Sequence, residues 1–275
     1  MGRKLAALAV AVSVLGLASG CGRKEGVRKV KVKWVIEVAC PCLLAPALSR
    51  IVPLFRGAHP RIGVSLKVKG QEGLLPSVRR GEGRPDLLIV VGDLEVGELR
   101  QGGLVDYVDT FCFVALGLLT PSGNPKGVRG LKDLAKPEVE KVGLGAEGTT
   151  IGERAEELLK REGLWERVRH KVVRARFQME LVSLTKGGEY DASIGPASCA
   201  LAGGGEAGLL LVEAFDRGGR QALIPCMGVV LKGARSPKPA RIFLDFLVKG
   251  EAQAVLKSKG FVPLLEARIE GGGQA

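Results

Sequence analysis

The chain has 275 residues, enough for one large or two modest α/β domains. Hydrophobic residues make up 46% of it and aromatics 4%, so its core is aliphatic. The net charge of +12 suits a solvated basic surface, an anionic membrane or the steering of a small anion, but the Lys and Arg form no basic motif and have few aromatics beside them, which argues against a nucleic-acid partner.

Arg3 and Lys4 precede an apolar run from Leu5 to Leu17 that is short for a bilayer. Ala18-Ser19-Gly20-Cys21 follows. Residues 1–21 therefore read as an export signal. The small residues before the cysteine resemble a bacterial lipobox, which implies that Cys21 becomes the lipid-modified first residue of the mature protein. Residues 22–33 are polar and basic and read as a tether suited to an anionic leaflet. No second transmembrane run follows. The protein is thus expected outside the cytoplasmic membrane, anchored by lipid, where disulfides are permitted.

The first folded stretch, Trp34 to Leu44, is a β-branched apolar run that stops at Cys40-Pro41-Cys42. Leu44, Leu48, Ile51, Val52 and Phe55 then recur at helical spacing. A strand, a tight turn and a helix follow one another, and in a parallel sheet such a strand end is where ligands bind. The amino end of the helix favours an anion there. Beyond His59-Pro60, Ile62 to Val68 alternates as a strand. Gly70-Gln71-Glu72-Gly73 is a turn before a helix containing Leu74, Leu75 and Val78. Leu87 to Val91 reads as a fully buried strand, and Asp93 as the N-cap of the next helix. The β-α-β-α-β-α order predicts a parallel sheet covered by helices.

Phe111 to Thr120 is a long extended run suited to crossing between domains. Leu131 to Leu134 is a short helical turn and Val142 to Gly145 a strand. Gly148-Thr149-Thr150-Ile151-Gly152 is a glycine-flanked turn opening a helix with Ala155, Leu158 and Leu159. Val172-Val173 is a strand, Phe177 to Leu184 a helix and Tyr190 to Gly195 a strand ending at Pro196-Ala197-Ser198-Cys199. Leu209 to Val212 is another strand. Ala222 to Leu231 reads as the chain returning to the first domain. Helices over Pro239–Val248 and Glu251–Lys257 follow, then Gly260-Phe261-Val262-Pro263.

The order of these landmarks is similar to that of the molybdate/tungstate-binding proteins of bacterial ABC importers. The landmarks are the strand-turn-helix, Phe55 with His59-Pro60, Pro85-Asp86, Leu118 to Pro125, Leu131 to Leu134, Gly163-Leu164-Trp165, Gly188 to Asp191, the Phe243 to Gln253 helices and Gly260-Phe261. The similarity spans roughly Trp34 to Pro263. It implies a type II periplasmic binding fold, that is, two Rossmann-like α/β lobes joined by a two-strand hinge. Lobe 1 is expected over 34–113 and 225–265, lobe 2 over 114–224, and a flexible tail over 266–275. The resemblance implies crossings near Phe111–Leu116 and Ile224–Val229, with a small oxyanion gripped in the inter-lobe cleft and passed to a membrane permease by a monomer without cofactor. Carried onto this chain, the ligand-binding positions are Cys40, Cys42, Leu43, Gln71, Glu72, Thr149, Thr150, Ile151 and Pro196. The serines that the family places after its first two strands are replaced here by thiols and by a carboxylate.

The cysteines support a second expectation. Cys40, Cys42, Cys112, Cys199 and Cys226 all fall at strand ends or in hinge crossings. Five thiolates, with Met227, would suit a soft ion such as Cu(I) or a thiophilic metalloid. Alternatively Cys112 could bridge Cys226 and staple the hinge, Cys199 could pair with Cys40 or Cys42, or the thiols could be inert. An enzyme is not expected. No Cys-His spacing or metal-hydrolase motif occurs, and Glu156-Glu157 sits in a solvated helical position.

Overall fold

A computed structural model describes residues 31–201, 208–215 and 223–270; the expected signal peptide with Cys21, most of the tether and the end of the expected tail lie outside them. The chain begins with β1 (Trp34–Cys40), α1 (Ala45–Ala58), β2 (Ile62–Val68), α2 (Gln71–Arg79), β3 (Leu87–Val91) and α3 (Asp93–Gln101). β1 lies parallel between β2 and β3, with Cys40 opposite Val68. Leu48, Ile51 and Phe55 bury the inner face of α1, as the helical spacing predicts, and all five residues of β3 are buried.

The long strand β4 (Val105–Pro121) comes next, starting six residues earlier than its apolar run. A 3-10 turn over Leu131–Ala135 leads to β5 (Val142–Leu144), α4 (Thr150–Arg161), α5 (Trp165–Val168), β6 (Val172–Arg174), α6 (Gln178–Gly187), β7 (Ala192–Pro196), α7 (Ser198–Leu201) and β8 (Leu209–Ala214). The chain closes with β9 (Leu223–Leu231), α8 (Pro237–Leu247), α9 (Gly250–Ser258), β10 (Val262–Pro263) and α10 (Leu264–Glu270).

The strand order is β2-β1-β3-β9-β4-β7-β5-β6, with β8 and β10 also paired to β4. β4 therefore belongs to both lobes. Up to Ala115 it runs antiparallel to β9; from Leu116 it pairs with β7, Leu116 lying opposite Pro196. The change of partner on this strand lies within Phe111–Leu116. Ile224–Val229 lies on β9, beside the β4 segment that changes partner. Those residues pair with β4 and β3 inside the first sheet.

Three landmark residues turn out to be scaffold fasteners. The Asp86 carboxylate accepts from Glu37 N (2.9 Å) and Ser236 N (2.7 Å), joining β1 to the start of α8. Asp191 Oδ2 accepts from Glu140 N and Lys141 N ahead of β5. Gln253 donates to the Phe111 and Leu247 carbonyls and accepts from Leu264 N, which ties α9 to β4 and to α10. Within the expected tail, Leu264–Glu270 is helical, and Ala267 packs with Ala115 and Leu223. Asp93 is not a cap. Gly92 holds the N-cap position of α3 with φ +117°, and Asp93 is the first residue of the helix.

Candidate functional site

In both sheets the parallel strands end on one cleft of about 330 Å³. Residues just past β1 (Pro41, Cys42, Leu43), β2 (Gly70, Gln71, Glu72) and β3 (Glu95) form one wall. Residues past β5 (Gly145, Ala146, Thr149), β6 (Arg176, Phe177, Gln178, Met179) and β7 (Ser198, Cys199) form the other. This is the placement expected of a ligand site at the carboxyl ends of parallel strands. Most of its lining is apolar: Pro41, Leu43, Pro46, Leu75, Phe177 and Val182 all face it.

Six of the nine expected ligand positions line the cleft: Cys42, Leu43, Gln71, Glu72, Thr149 and Ile151. Cys40, Thr150 and Pro196 do not. Several of the six are occupied by local work. Gln71 bonds both ways to Val91, Oε1 accepting from Val91 N and Nε2 donating to Val91 O, each at 2.8 Å. Thr149 is the N-cap of α4, accepting from Gly152 N (3.2 Å) while its hydroxyl donates to Ala146 O (2.7 Å). That turn requires glycine at 152, where a Cβ would meet Ala146 O at 2.1 Å. Glu72 bends its carboxylate back over the amino end of α2, where a Cβ on Gly70 would meet it.

The amino ends of the helices differ in what they offer. α4 is served by Thr149 and by Glu95, whose Oε1 accepts from Thr150 N at 3.1 Å. α2 has Glu72 in its first turn. α6 has no side-chain cap; its internal hydrogen bonds begin with Glu180 N and Leu181 N to Phe177 O, so the amides of Gln178 and Met179 are the open donors of its first turn. On the same wall, Ser198 is 1% exposed and its Oγ has no hydrogen-bond partner among the described residues. Arg176 stands at the rim, paired with Glu180. The opening of α6 thus offers free donors beside a first-turn acid, Glu180, that is already paired with Arg176, and the amino end of α1, behind Cys42 and Leu43, is likewise without a side-chain cap and has no acid in its first turn.

The five cysteines are not gathered. All are free thiols, and among the described residues no three His, Cys, Asp or Glu side chains come together as a metal cage requires. Cys42 and Cys199 face the cleft from opposite walls, with Met179 beside them in the lining. Cys40 is fully buried at the end of β1, its thiol pushed up to about 12 by burial and then by Cys42. Cys112 and Cys226 face each other across β4 and β9, both fully buried; burial, with Cys226 adjoining, raises the Cys112 thiol. Met227 packs in the core behind β3. Cys199 is likewise raised to about 12 by burial, against a hydrogen bond from Gln178 Nε2 at 3.8 Å.

The residues missed by sequence reading are Glu95, Arg176, Phe177, Gln178, Met179 and Ser198. Ser198 carried a legible signal, a hydroxyl two residues past a strand that ends at the cleft. Glu95 carried none, because a Glu in the first turn of a helix is ordinary.

A model of the bacterial extracellular solute-binding proteins matches residues 36–262. The chain belongs to this family. Its members are described as bacterial extracellular solute-binding proteins. The chain is 22% identical over 264 residues to YvgL of Bacillus subtilis (strain 168), named provisionally as an ABC transporter substrate-binding lipoprotein; the match covers 95% of this chain and 99% of the relative. The sulfate-binding protein SubI of Mycobacterium tuberculosis H37Rv superposes with a TM-score of 0.71 at 18% identity, covering 86% of this chain and 89% of that one. The periplasmic molybdate-binding protein of Azotobacter vinelandii superposes with 0.65 at 14% identity, covering 82% and 98%. At these identities the likeness establishes the fold: two α/β lobes of a periplasmic binding protein. Among the described residues no helix is long and apolar enough to cross a membrane.

Proposed function

We propose that this solute-binding protein is exported, anchored by lipid at Cys21, and captures a small anion in the inter-lobe cleft for delivery to the permease of an ABC importer. It acts as a monomer, with the division between lobes on β4 at Ala115–Leu116 and with β9 from Leu223 onward in lobe 1. A tetrahedral oxyanion of the molybdate/tungstate type is the first candidate, following the resemblance of the landmarks. The observation that carries the reading is Ser198: a buried hydroxyl without a partner is costly unless a ligand completes it. It lines the same wall of the cleft as Gln178 and Met179, whose amides open α6, and such donors suit an anion. On this reading the charged group rests on lobe 2, while Cys42, Leu43 and Pro46 of lobe 1 close over it.

The test is calorimetric titration of the mature protein with molybdate, tungstate, sulfate and phosphate, repeated on Ser198→Ala. Tryptophan fluorescence is a poor substitute, because neither Trp34 nor Trp165 lines the cleft. At least one oxyanion is expected to bind, and loss of the Ser198 hydroxyl to weaken it about 5- to 30-fold. Binding that ignores the substitution would overturn the assignment of the site.

One observation favours a second reading. Cys42, Cys199 and Met179 share the cleft lining, and a soft ion such as Cu(I) is satisfied by two thiolates. In that case no oxyanion binds, and Cu(I) binding disappears in Cys42→Ser and Cys199→Ser alike.

A further inference from the structure

The strongest feature the ligand reading leaves unused is a contact between the lobes. The amino end of α3, in lobe 1, meets the amino end of α4, in lobe 2. Both ends carry unsatisfied N–H groups and partial positive charge, so bare they would repel. Here they are joined. Glu95, 6% exposed, accepts from Thr150 N through Oε1 (3.1 Å) and lies 2.5 Å from Thr150 Oγ1 through Oε2. Thr150, 1% exposed, accepts in return from Leu94 N at 3.1 Å. Asp93 Oδ1 is 3.2 Å from the same hydroxyl, and Arg154 of α4 approaches Asp93 Oδ2 at 3.5 Å. The backbone is shaped for this approach: a Cβ at Gly92 would meet Glu95 Oε2 at 2.0 Å and Thr150 Oγ1 at 2.4 Å, and its φ of +117° already favours glycine.

We propose that Glu95 and Thr150 form an inter-lobe clasp that holds the cleft closed without ligand, and that Glu95 thereby takes the amino end of α4 away from the ligand and sets the cleft against excess negative charge. Glu95 lines the cleft as well as bridging it, so its charge is felt by anything bound there. The clasp lies in the lobe contact itself and can be tested with no ligand present. Only its effect on anion preference rests on the anion reading.

The experiment combines hydrogen exchange and small-angle scattering on the ligand-free mature protein with titration of molybdate and phosphate. The variants are Thr150→Val, which keeps shape and loses the hydroxyl, Glu95→Ala, and Glu95→Gln, which keeps an acceptor and loses the charge. In the wild type the amides of Leu94 and Thr150 are expected to be protected. Thr150→Val should speed exchange of Leu94, in the opposite lobe, about tenfold or more, and Glu95→Ala should do the same at Thr150 while raising the radius of gyration. Glu95→Gln should stay closer to wild type in both, yet bind the anion about tenfold tighter or better, because a nearby buried negative charge is gone. Unprotected Leu94 and Thr150 in the wild type, or unchanged exchange and size in Glu95→Ala, would overturn the clasp. Anion binding unchanged or weakened in Glu95→Gln would overturn the effect on preference. If neither protein binds either anion, the anion reading fails and the clasp is decided by exchange and scattering.

Discussion

Asp86 shows what a single buried carboxylate does for this fold. It is 1% exposed and both its oxygens are engaged, one with Glu37 N in β1 and one with Ser236 N before α8, residues far apart in the chain. Replacing it by Ala leaves two buried amides without acceptors, each costing about 1–3 kcal/mol. Asp86→Ala should therefore lower the unfolding free energy by about 2–5 kcal/mol in a urea titration, while oxyanion affinity in the protein that remains folded is unchanged. An intact midpoint would show that these bonds are not held in solution. The same residue explains why the fold was legible. Asp86, Asp191 and Gln253 of α9 are fasteners, and their carboxylates and amide hold backbone groups at fixed places in the scaffold. A chain that keeps the scaffold keeps them. Ligand-facing positions have no such obligation, and here Cys42, Glu72 and Glu95 face the cleft instead.

At the level of the elements, the sequence indicates where helices begin but not what meets their amino ends. Hydrophobic spacing located α1, α4 and α6 within a few residues, because each buries one apolar face. It could not show that α4 begins against α3 of the other lobe, since Glu95 and Thr150 are 55 residues apart and neither departs from local propensity. That contact has a titration signature. Burial raises the Glu95 pKa above the ordinary carboxylate range, outweighing the hydrogen bonds from Thr150, with Asp93 adding to the rise. A carboxyl with a raised folded pKa binds its proton more readily in the folded state than in the unfolded one. Its contribution to stability is therefore fullest below the ordinary carboxylate value and is lost as pH rises to the raised value. The melting temperature of the wild type should fall relative to Glu95→Gln across that window and run parallel to it on either side. Parallel curves throughout would mean that Glu95 is solvated and that the two helix ends stand apart.

For the whole molecule, the cysteines divide by where they sit relative to the crossing. β4 passes between sheets at Ala115–Leu116, whereas Cys112 and Cys226 face each other three residues earlier, on strands already hydrogen-bonded within the first sheet. A bridge there would join two segments that move together, so it could not staple the lobes as the sequence suggested. Cys42 and Cys199, in contrast, stand on opposite walls of the cleft and change their separation whenever it opens. The two pairs should therefore respond differently to substitution. Cys112→Ser with Cys226→Ser places two hydroxyls in a fully buried site and should cost about 1–3 kcal/mol of stability each, with ligand affinity and radius of gyration as in the wild type. Cys42→Ser with Cys199→Ser should cost less stability, because both side chains line the cleft and a hydroxyl there can meet solvent, and the two readings differ in what it does to binding. Under the anion reading the second pair of changes is tolerated; under the soft-ion reading it removes binding. If the first pair instead altered closure, measured by scattering with and without ligand, then β9 would have to belong to the moving part, and the hinge would lie deeper in the first sheet than the β4–β7 pairing places it.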